Sequence, residues 1–441
     1  MTKRHPYDRD ILRLSGPALG ALAAEPLYVL VDTAVVGHLG TPQLGGLAVA
    51  GTVLTTSFFL FNFLAYGTTA SVARLFGAGR SDEAAQQAVQ AGWLALALGV
   101  ALALAGVTLA PQAVALFGAD GAVADNGIVY LRISALGAPA VLLATAGIGF
   151  LRGVQDTRTT LLVAGGANVL NLVLELTLIY GFGMGIAASA AATVVAQSVA
   201  AVAYGAVVLR AVRRAHGTSL QPEWRRIRQL LVVGRDLFVR TGSLLASLAV
   251  ATAVATRMGV VEVAAHQIAF QLWTFLALVL DALAIAGQAM IGRLLGAGDA
   301  SGARDAARRM VQWGIAAGVA FAVVVASLRT VLAPLFSGDD AVVALAGQVL
   351  VIVALLQPAN AVVFVLDGVL IGAGDLRYLA AAMFTSAVLF VPAAIAVLET
   401  GHGLVALWGA LALLMAARLA GNVVRFASPH WQVVGATREH R

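Results

Sequence analysis

The sequence lacks the residues that form disulfides and has few of those that cover a solvated surface. It contains no cysteine in 441 residues, which excludes disulfides, thiolate metal ligands and thiol redox chemistry. Charged residues make up only 11% of the chain, whereas hydrophobic residues make up 60%. A water-soluble protein of this length could not bury so much apolar surface, so the composition indicates an integral membrane protein.

Sequence motifs of catalysis are also missing. The chain has no HExxH sequence and no phosphate-binding P-loop, and no second histidine lies at metal spacing from His266. The sequence therefore predicts no enzyme, no metal site, no cofactor and no direct use of ATP. The net charge of +6 would suggest a nucleic-acid partner in a soluble protein, but here the position of the charges explains it.

Twelve apolar runs approach or exceed 20 residues, the length that an α-helix needs to cross a bilayer. With a cytoplasmic N-terminus, all but four of the 28 lysines and arginines lie on the cytoplasmic side, as the positive-inside rule requires. We therefore expect an all-α, multi-pass protein of the plasma membrane (the inner membrane of a bacterium), with both termini cytoplasmic. The predicted spans are 11–37, 44–73, 84–110, 127–151, 159–180, 185–212, 228–256, 262–292, 303–328, 341–371, 378–398 and 403–424.

The chain reads as two copies of one unit. RLFGAG at 74–79 recurs as RLLGAG at 293–298, an offset of 219 residues, and LRGVQDTR at 151–158 falls on LIGAGDLR at 370–377. These motifs lie at cytoplasmic turns. We predict a six-helix N-terminal lobe (1–212), a linker (213–227) and a six-helix C-terminal lobe (228–441). Six spans per copy give both lobes the same orientation, a parallel repeat that secondary transporters use for alternating access.

The linker lies in the densest basic segment of the chain, from Arg210 to Arg235. Anionic lipid headgroups are its expected neighbours.

The repeat also separates residues needed for folding from residues kept for another reason. A side chain needed to build the bundle should have a similar counterpart 219 positions later. Four polar residues of the N-terminal lobe instead have apolar counterparts: Glu25 falls on Leu244, Asp32 on Ala251, Asn171 on Phe390 and Glu175 on Ala394. This polar cluster is dispensable for the lobe architecture, which favours a functional role.

These residues predict a proton site. Glu25, Tyr28 and Asp32 share one face of the first span. Asn168, Asn171 and Glu175 share one face of the fifth. Asp32 and Glu175 lie at the same predicted depth, and two nearby carboxylates in a low dielectric cannot both ionise comfortably. Two structural alternatives remain: Asp32 pairs with a buried arginine, or the cluster is a hydrogen-bonded patch that joins two helices.

Other ionisable groups inside the predicted spans favour structural roles. We expect an ion pair between Arg240 and Asp281, because intramembrane charges usually pair. Asp367 lies near a cytoplasmic end, where solvent could reach it. His266 is expected to be a packed, hydrogen-bonded side chain. Asp281 and Asp367 remain further candidates for cation coupling, with Glu25 and Asn168.

Several motifs together resemble the multidrug and toxic compound extrusion (MATE) transporters. They are RG-x-x-DTRT at 152–159 followed by NVLN-x-x-LE, AAHQI at 264–268, and the duplicated RL-x-GAG; EPLYVLVDTAVVGHLG at 25–40 is most similar to the DNA-damage-inducible protein F (DinF) branch. The resemblance implies two lobes around a central cavity and export of organic cations or amphiphiles against proton or sodium entry.

The resemblance also implies roles for single residues. The working acid of helix 1 corresponds to Asp32, with Tyr28 beside it, and the helix 5 pair corresponds to Asn171 and Glu175. The helix 5 acid is usually Asp, so Glu175 departs from the pattern. A further polar residue expected in helix 4 is not evident in ATAGIGF at 144–150. Sodium-coupled members use acids of the second lobe, near Asp367.

The sequence thus predicts a proton-coupled multidrug efflux antiporter, monomeric, with small cationic or amphiphilic substrates and membrane lipids as its partners. Two alternatives are a sodium-coupled exporter of the same fold and a flippase for a lipid or lipid-linked substrate. A flippase would favour a basic groove, but away from the cytoplasmic ends the spans hold only Arg132 and Arg240.

Overall fold

The structure is a computed structural model that describes residues 5–437. Within this range the chain forms helices and short connections, since apolar runs in a bilayer satisfy their backbone polar groups only inside helices or closed barrels. A π-helical turn (Thr177–Gly181) follows α7, and a 3₁₀ turn (Ala333–Leu335) follows α11. The helices are α1 (Asp8–Gly37), α2 (Thr41–Leu60), α3 (Phe63–Gly77), α4 (Ser81–Ala115), α5 (Gly121–Ala135), α6 (Ala138–Gly153), α7 (Thr157–Leu176), α8 (Ile186–Arg214), α9 (Trp224–Met258), α10 (Val260–Gly296), α11 (Ala300–Leu332), α12 (Asp340–Gly372), α13 (Leu376–Glu399) and α14 (Gly403–Ala427).

The prediction of twelve spans is confirmed. Eleven helices or joined helices of the described chain are long and apolar enough to cross a membrane, and α5 with α6 forms a twelfth, bent by 51°. Two breaks were not predicted. Helix α2 stops before Asn62, and α5 stops before Gly137. In the second copy, the corresponding α10 and α12 run without interruption.

The chain folds into two compact units. The first unit comprises residues 16–234, and the second comprises residues 5–15 and 235–437. Two helices are therefore divided between the units: α1 starts in the second unit and continues in the first, and α9 does the reverse. The two division points, after Ser15 and after Gly234, are 219 residues apart, the same offset as the sequence repeat.

Close helix contacts repeat at this offset as well. In the first unit α3 packs on α6, where a methyl group at Gly149 would overlap the carbonyl oxygen of Ala65. In the second unit α10 packs on α12, where a methyl group at Gly368 would overlap that of Ala284. Small residues at such crossings let two backbones approach closely, which drives helix association in a bilayer. The duplication is therefore structural as well as sequential.

Candidate functional site

The polar residues of the first unit meet between three helices, each of which contributes two side chains one turn apart. Helix α1 supplies Tyr28 and Asp32, and α7 supplies Asn171 and Glu175. The third pair, Ser189 and Thr193, comes from α8. Because residues four apart lie one above the other on a helix, the six side chains form two layers.

The first layer is a hydrogen-bonded group of neutral side chains. The Tyr28 hydroxyl lies 2.8 Å from Thr193 Oγ1, and Asn171 Nδ2 donates to Thr193 Oγ1 at 3.0 Å. Thr193 donates its one proton to the carbonyl of Ser189 at 3.0 Å, so Tyr28 must be the donor in its bond to Thr193. Among residues 5–437, Asn171 Oδ1 is buried without a hydrogen-bond partner.

The second layer holds two buried carboxyl groups. Asp32 is 5% exposed and accepts a hydrogen bond of 2.5 Å from Ser189 Oγ. Glu175 is fully buried and lies within reach of Asp32 and Ser189, but neither of its oxygens makes a hydrogen bond of ordinary geometry with any described residue. Within the described chain neither acid pairs with a lysine or an arginine. Three buried acceptor oxygens, two on Glu175 and one on Asn171, therefore lack a donor.

A phenol that the sequence did not point to completes the site. Tyr130 of α5 is 5% exposed and lies beside Ser189 and Thr193, close enough to Asp32 to interact with it. It lies in the fourth predicted span, upstream of the ATAGIGF segment where no polar residue was evident. This span therefore does contribute a polar side chain to the site, 14 residues, or about four helical turns, before Ala144.

The repeat could have revealed these additional residues. At the offset of 219, Tyr130 falls on Val349. Ser189 and Thr193 fall on apolar residues of α14, whether the offset is taken as 219 or as 218. The same loss of polarity distinguishes Asp32 and Glu175.

The corresponding place in the second unit is part of an apolar core. Ala251, Val349, Phe390, Ala394 and Trp408 belong to one cluster of buried residues. At these five positions one copy carries hydrocarbon and aromatic side chains where the other carries carboxyl, amide and hydroxyl groups, whereas the position of Tyr28 stays polar as the buried Ser247. The comparison agrees with the inference that the polar group is not required to build the fold.

Two further candidates of the first unit lie outside this group. Asn168 donates to the carbonyl of Ala24 at 2.9 Å and so joins α7 to α1. Glu25 is exposed. Asp281, on α10, is part of the second unit.

The expectation that solvent reaches Asp367 is wrong. This residue is 5% exposed, and its Oδ2 accepts from Arg240 at 2.5 Å and from Arg418 at 2.8 Å. Asn422 donates to Oδ1 at 2.8 Å. Arg240 thus has a structural ion-pair partner, and that partner is Asp367. The pairing of Arg240 with Asp281 stays a prediction. A sodium ion at Asp367 would have to displace two guanidinium groups, which repel it.

The prediction for His266 is confirmed. The side chain is fully buried, its Nε2 lies 3.2 Å from Thr252 Oγ1, and its ring packs against Phe270 and Trp408. It is a packed core histidine.

Comparisons with known proteins agree with this architecture. The MatE family matches residues 17–177 and 243–395. Protein DETOXIFICATION 44, chloroplastic, from Arabidopsis thaliana is 32% identical over 95% of this chain and 82% of its own length. DNA damage-inducible protein F from Escherichia coli (strain K12) is 31% identical over 93% of this chain and 90% of its own length. A solved structure of a MOP superfamily transporter from Pyrococcus furiosus has the same fold, with a TM-score of 0.86, 21% identity, and coverage of 95% of this chain and 96% of that one. With a family match over more than half of its length and a DinF relative along nearly all of it, this chain belongs to the MatE family of multidrug and toxic compound extrusion transporters.

Proposed function

We propose that this transporter exports organic cations or amphiphilic drugs in exchange for protons, and that the proton binds at Asp32 and Glu175. The observation that carries the proposal is the pair of buried carboxyl groups in the first unit, within reach of each other and without a basic partner in the described chain. Two carboxylates cannot both stay ionised at such a place, but one shared proton removes the repulsion and supplies the missing donor.

Proton exchange follows because the proton and the organic cation compensate the same negative charge of the carboxyl pair. With one proton shared, the pair carries a single negative charge, and its two helices can close on each other. When the proton leaves, the second negative charge must be compensated, and an organic cation or a change of conformation provides that compensation. Ser189, Tyr28 and Thr193 orient the group by hydrogen bonds, since a hydroxyl can turn to serve as donor or acceptor.

Sodium coupling is the second candidate, and one observation favours it. The unpartnered oxygens of Glu175 and Asn171 lie in the same group as the carboxylate of Asp32, and such oxygens are the ligands that hard cations prefer. These oxygens support a sodium alternative at the first-unit site rather than at Asp367, where two arginines already occupy the carboxylate.

The test is transport by the purified protein in liposomes that enclose a cationic dye. Wild type should move the dye against its gradient under an imposed proton gradient without sodium, whereas Asp32→Asn should lose about 100-fold in rate, as expected when a proton-transfer group is removed. Glu399→Gln is the control, because Glu399 is an exposed acid at the end of α13 and belongs to none of the candidate sites. Transport that requires sodium and ignores the proton gradient would overturn the proton proposal in favour of the sodium one.

A further inference from the structure

The segments that precede α1 and α9 are both fastened to a helix of the unit in which they lie. We call residues 5–8 the N-terminal strap and residues 218–223 the linker strap. The N-terminal strap lies on α11, and the linker strap lies on α4. Helices α4 and α11 correspond to each other in the repeat, since their first residues, Ser81 and Ala300, are 219 positions apart.

The N-terminal strap is fastened by charge. Arg309 grips the Asp8 carboxylate with two parallel bonds, Nε to Oδ1 at 2.6 Å and Nη2 to Oδ2 at 2.9 Å. Trp313 Nε1, one turn further along α11, donates to the same Oδ1 at 2.8 Å. His5 Nε2 lies 3.5 Å from a carboxylate oxygen of Asp305, one turn in the other direction. Bidentate arginine–carboxylate pairs fix orientation as well as distance.

The linker strap is held by neutral amides of α4, one of which, Gln86, donates to the Glu223 carboxylate at 2.5 Å. Gln86 accepts from the backbone of Ser219 at 3.0 Å, and Gln90 both accepts from the backbone of Glu223 at 2.7 Å and donates to the carbonyl of Gln221 at 2.9 Å. Trp93 Nε1 donates to the carbonyl of Leu220 at 2.8 Å. At the repeat offset Gln86 and Gln90 fall on Asp305 and Arg309, so the two helices use the same face for the same purpose.

The helices that follow the two straps differ at the position of the proposed proton-binding acid. Helix α1 carries Asp32, whereas α9 carries Ala251 at the same position. Asp32 lies 24 residues beyond Asp8 on one helix, about 36 Å at the rise of an α-helix. A helix that is held at its first turn can respond to a displacement at Asp32 by tilting about that turn or by bending at Pro17 and Pro26, which lie between the two positions, but not by shifting its start. The strap with the ionic grip is the one that holds the proton-binding helix.

We propose that Asp8 and Arg309 are positioning residues for coupling: they hold the start of α1 on α11, so that a change at Asp32 moves the helix as a lever. This inference rests on the function proposed above. It assigns to the pair no contact with the proton or the substrate. Without the Asp8–Arg309 pair, the start of α1 would be free to move on α11. Proton binding at Asp32 would then shift the start of the helix and would no longer drive transport of the substrate.

The grip itself is not a pH switch. Asp8 lies ahead of the apolar run, and the Arg309 guanidinium and the Trp313 indole hold the pKa of its carboxyl well below the usual range. A depressed pKa means that the carboxylate stays ionised, and the grip stays formed, as the pH falls through the ordinary range of an aspartate; it is lost only in strong acid. Proton binding at Asp32 can therefore change while the grip does not.

The experiment measures proton uptake and dye export together in the same liposomes, and reports dye moved per proton. Asp8→Asn should lower this ratio about fivefold, the lower end of ordinary coupling strengths, while proton uptake continues. Asp8→Glu, which keeps the carboxylate, should restore most of the ratio. The matched control is Gln86→Ala with Gln90→Ala in the linker strap, which loosens α9 and should leave the ratio at the wild-type value.

Trp313→Phe removes only the indole donor to Asp8 and provides the test if the Asp8→Asn protein does not insert into the membrane. It should lower the ratio of dye to protons by a smaller factor than Asp8→Asn. An unchanged ratio in these variants, with proton uptake and export reduced in parallel, would show a purely structural role and overturn the inference. Failure of the proposed function looks different, because wild type would then show no proton-driven export at all.

Discussion

Buried acids occur in both units, and their neighbours give them opposite roles. Asp32 and Glu175 have hydroxyl and amide neighbours and no basic partner in the described chain, whereas Asp367 is bonded by two arginines and an asparagine. Burial of a charge without a partner is costly and is maintained only where it is used. Burial of a charge between two partners fixes three helices, here α9, α12 and α14.

This contrast predicts that substitutions at Glu175 and at its counterpart Ala394 affect stability and transport differently. Glu175→Met, which keeps the volume but removes the charge, should leave the thermal unfolding midpoint unchanged or raise stability by about 1 kcal/mol, and should abolish transport. Ala394→Glu should lower stability by several kcal/mol, because the surrounding core supplies Phe390 and Trp408 rather than hydroxyls. Tryptophan fluorescence during heating in detergent measures both. A strong loss of stability in Glu175→Met would mean that the acid is structural.

A second prediction concerns Asp367. Asp367→Asn removes the carboxylate that Arg240 and Arg418 share, and breaking a buried ion pair on one side costs about 3 kcal/mol or more. The unfolding midpoint should therefore fall clearly, while transport by the folded fraction keeps its dependence on the proton gradient. A stable Asp367→Asn protein that no longer couples would instead place the cation site in the second unit.

At the scale of helices, packing depends on a few positions without a side chain. Gly368 of α12 lies against the Ala284 carbonyl of α10, and Gly347, elsewhere on α12, has open space around the position of a Cβ. Gly368→Ala should destabilise the protein by about 1–3 kcal/mol through overpacking. Gly347→Ala should instead be neutral or slightly stabilising, because alanine is the better helix former. The difference between their unfolding midpoints is the measurement, and equal midpoints would contradict the close contact.

The helices show what a sequence of this kind reveals. Their number and the repeat were predictable because apolar length and a fixed offset are local or periodic signals. The break before Asn62 was not predictable, because no glycine or proline marks it.

At the site, Asp32, Asn171 and Glu175 are conspicuous in apolar helices, whereas Ser189 and Thr193 are not. A hydroxyl in such a helix often bonds only its own backbone, as Thr52 does to Ala48. The straps depend on contacts between distant segments, which no local pattern encodes.

For the whole molecule, the absence of cysteine allows a direct test of topology. A single cysteine at His216, between α8 and α9, should react with a membrane-impermeant maleimide only after the cells are opened. One at Gly338, between α11 and α12, should react in intact cells, because the positive-inside rule places this loop outside. The cysteine-free parent chain is the control for background labelling. The reverse pattern would invert the predicted orientation.

The shared helices also bear on what one copy of the repeat could do by itself. Each compact unit contains the first turns of a helix whose remainder lies in the other, at boundaries that match the repeat. This is the pattern of a domain-swapped homodimer whose two protomers have been joined into one polypeptide. A half-length chain would therefore be expected to pair with an identical copy by exchanging its first helical turns, and not to persist as a folded monomer.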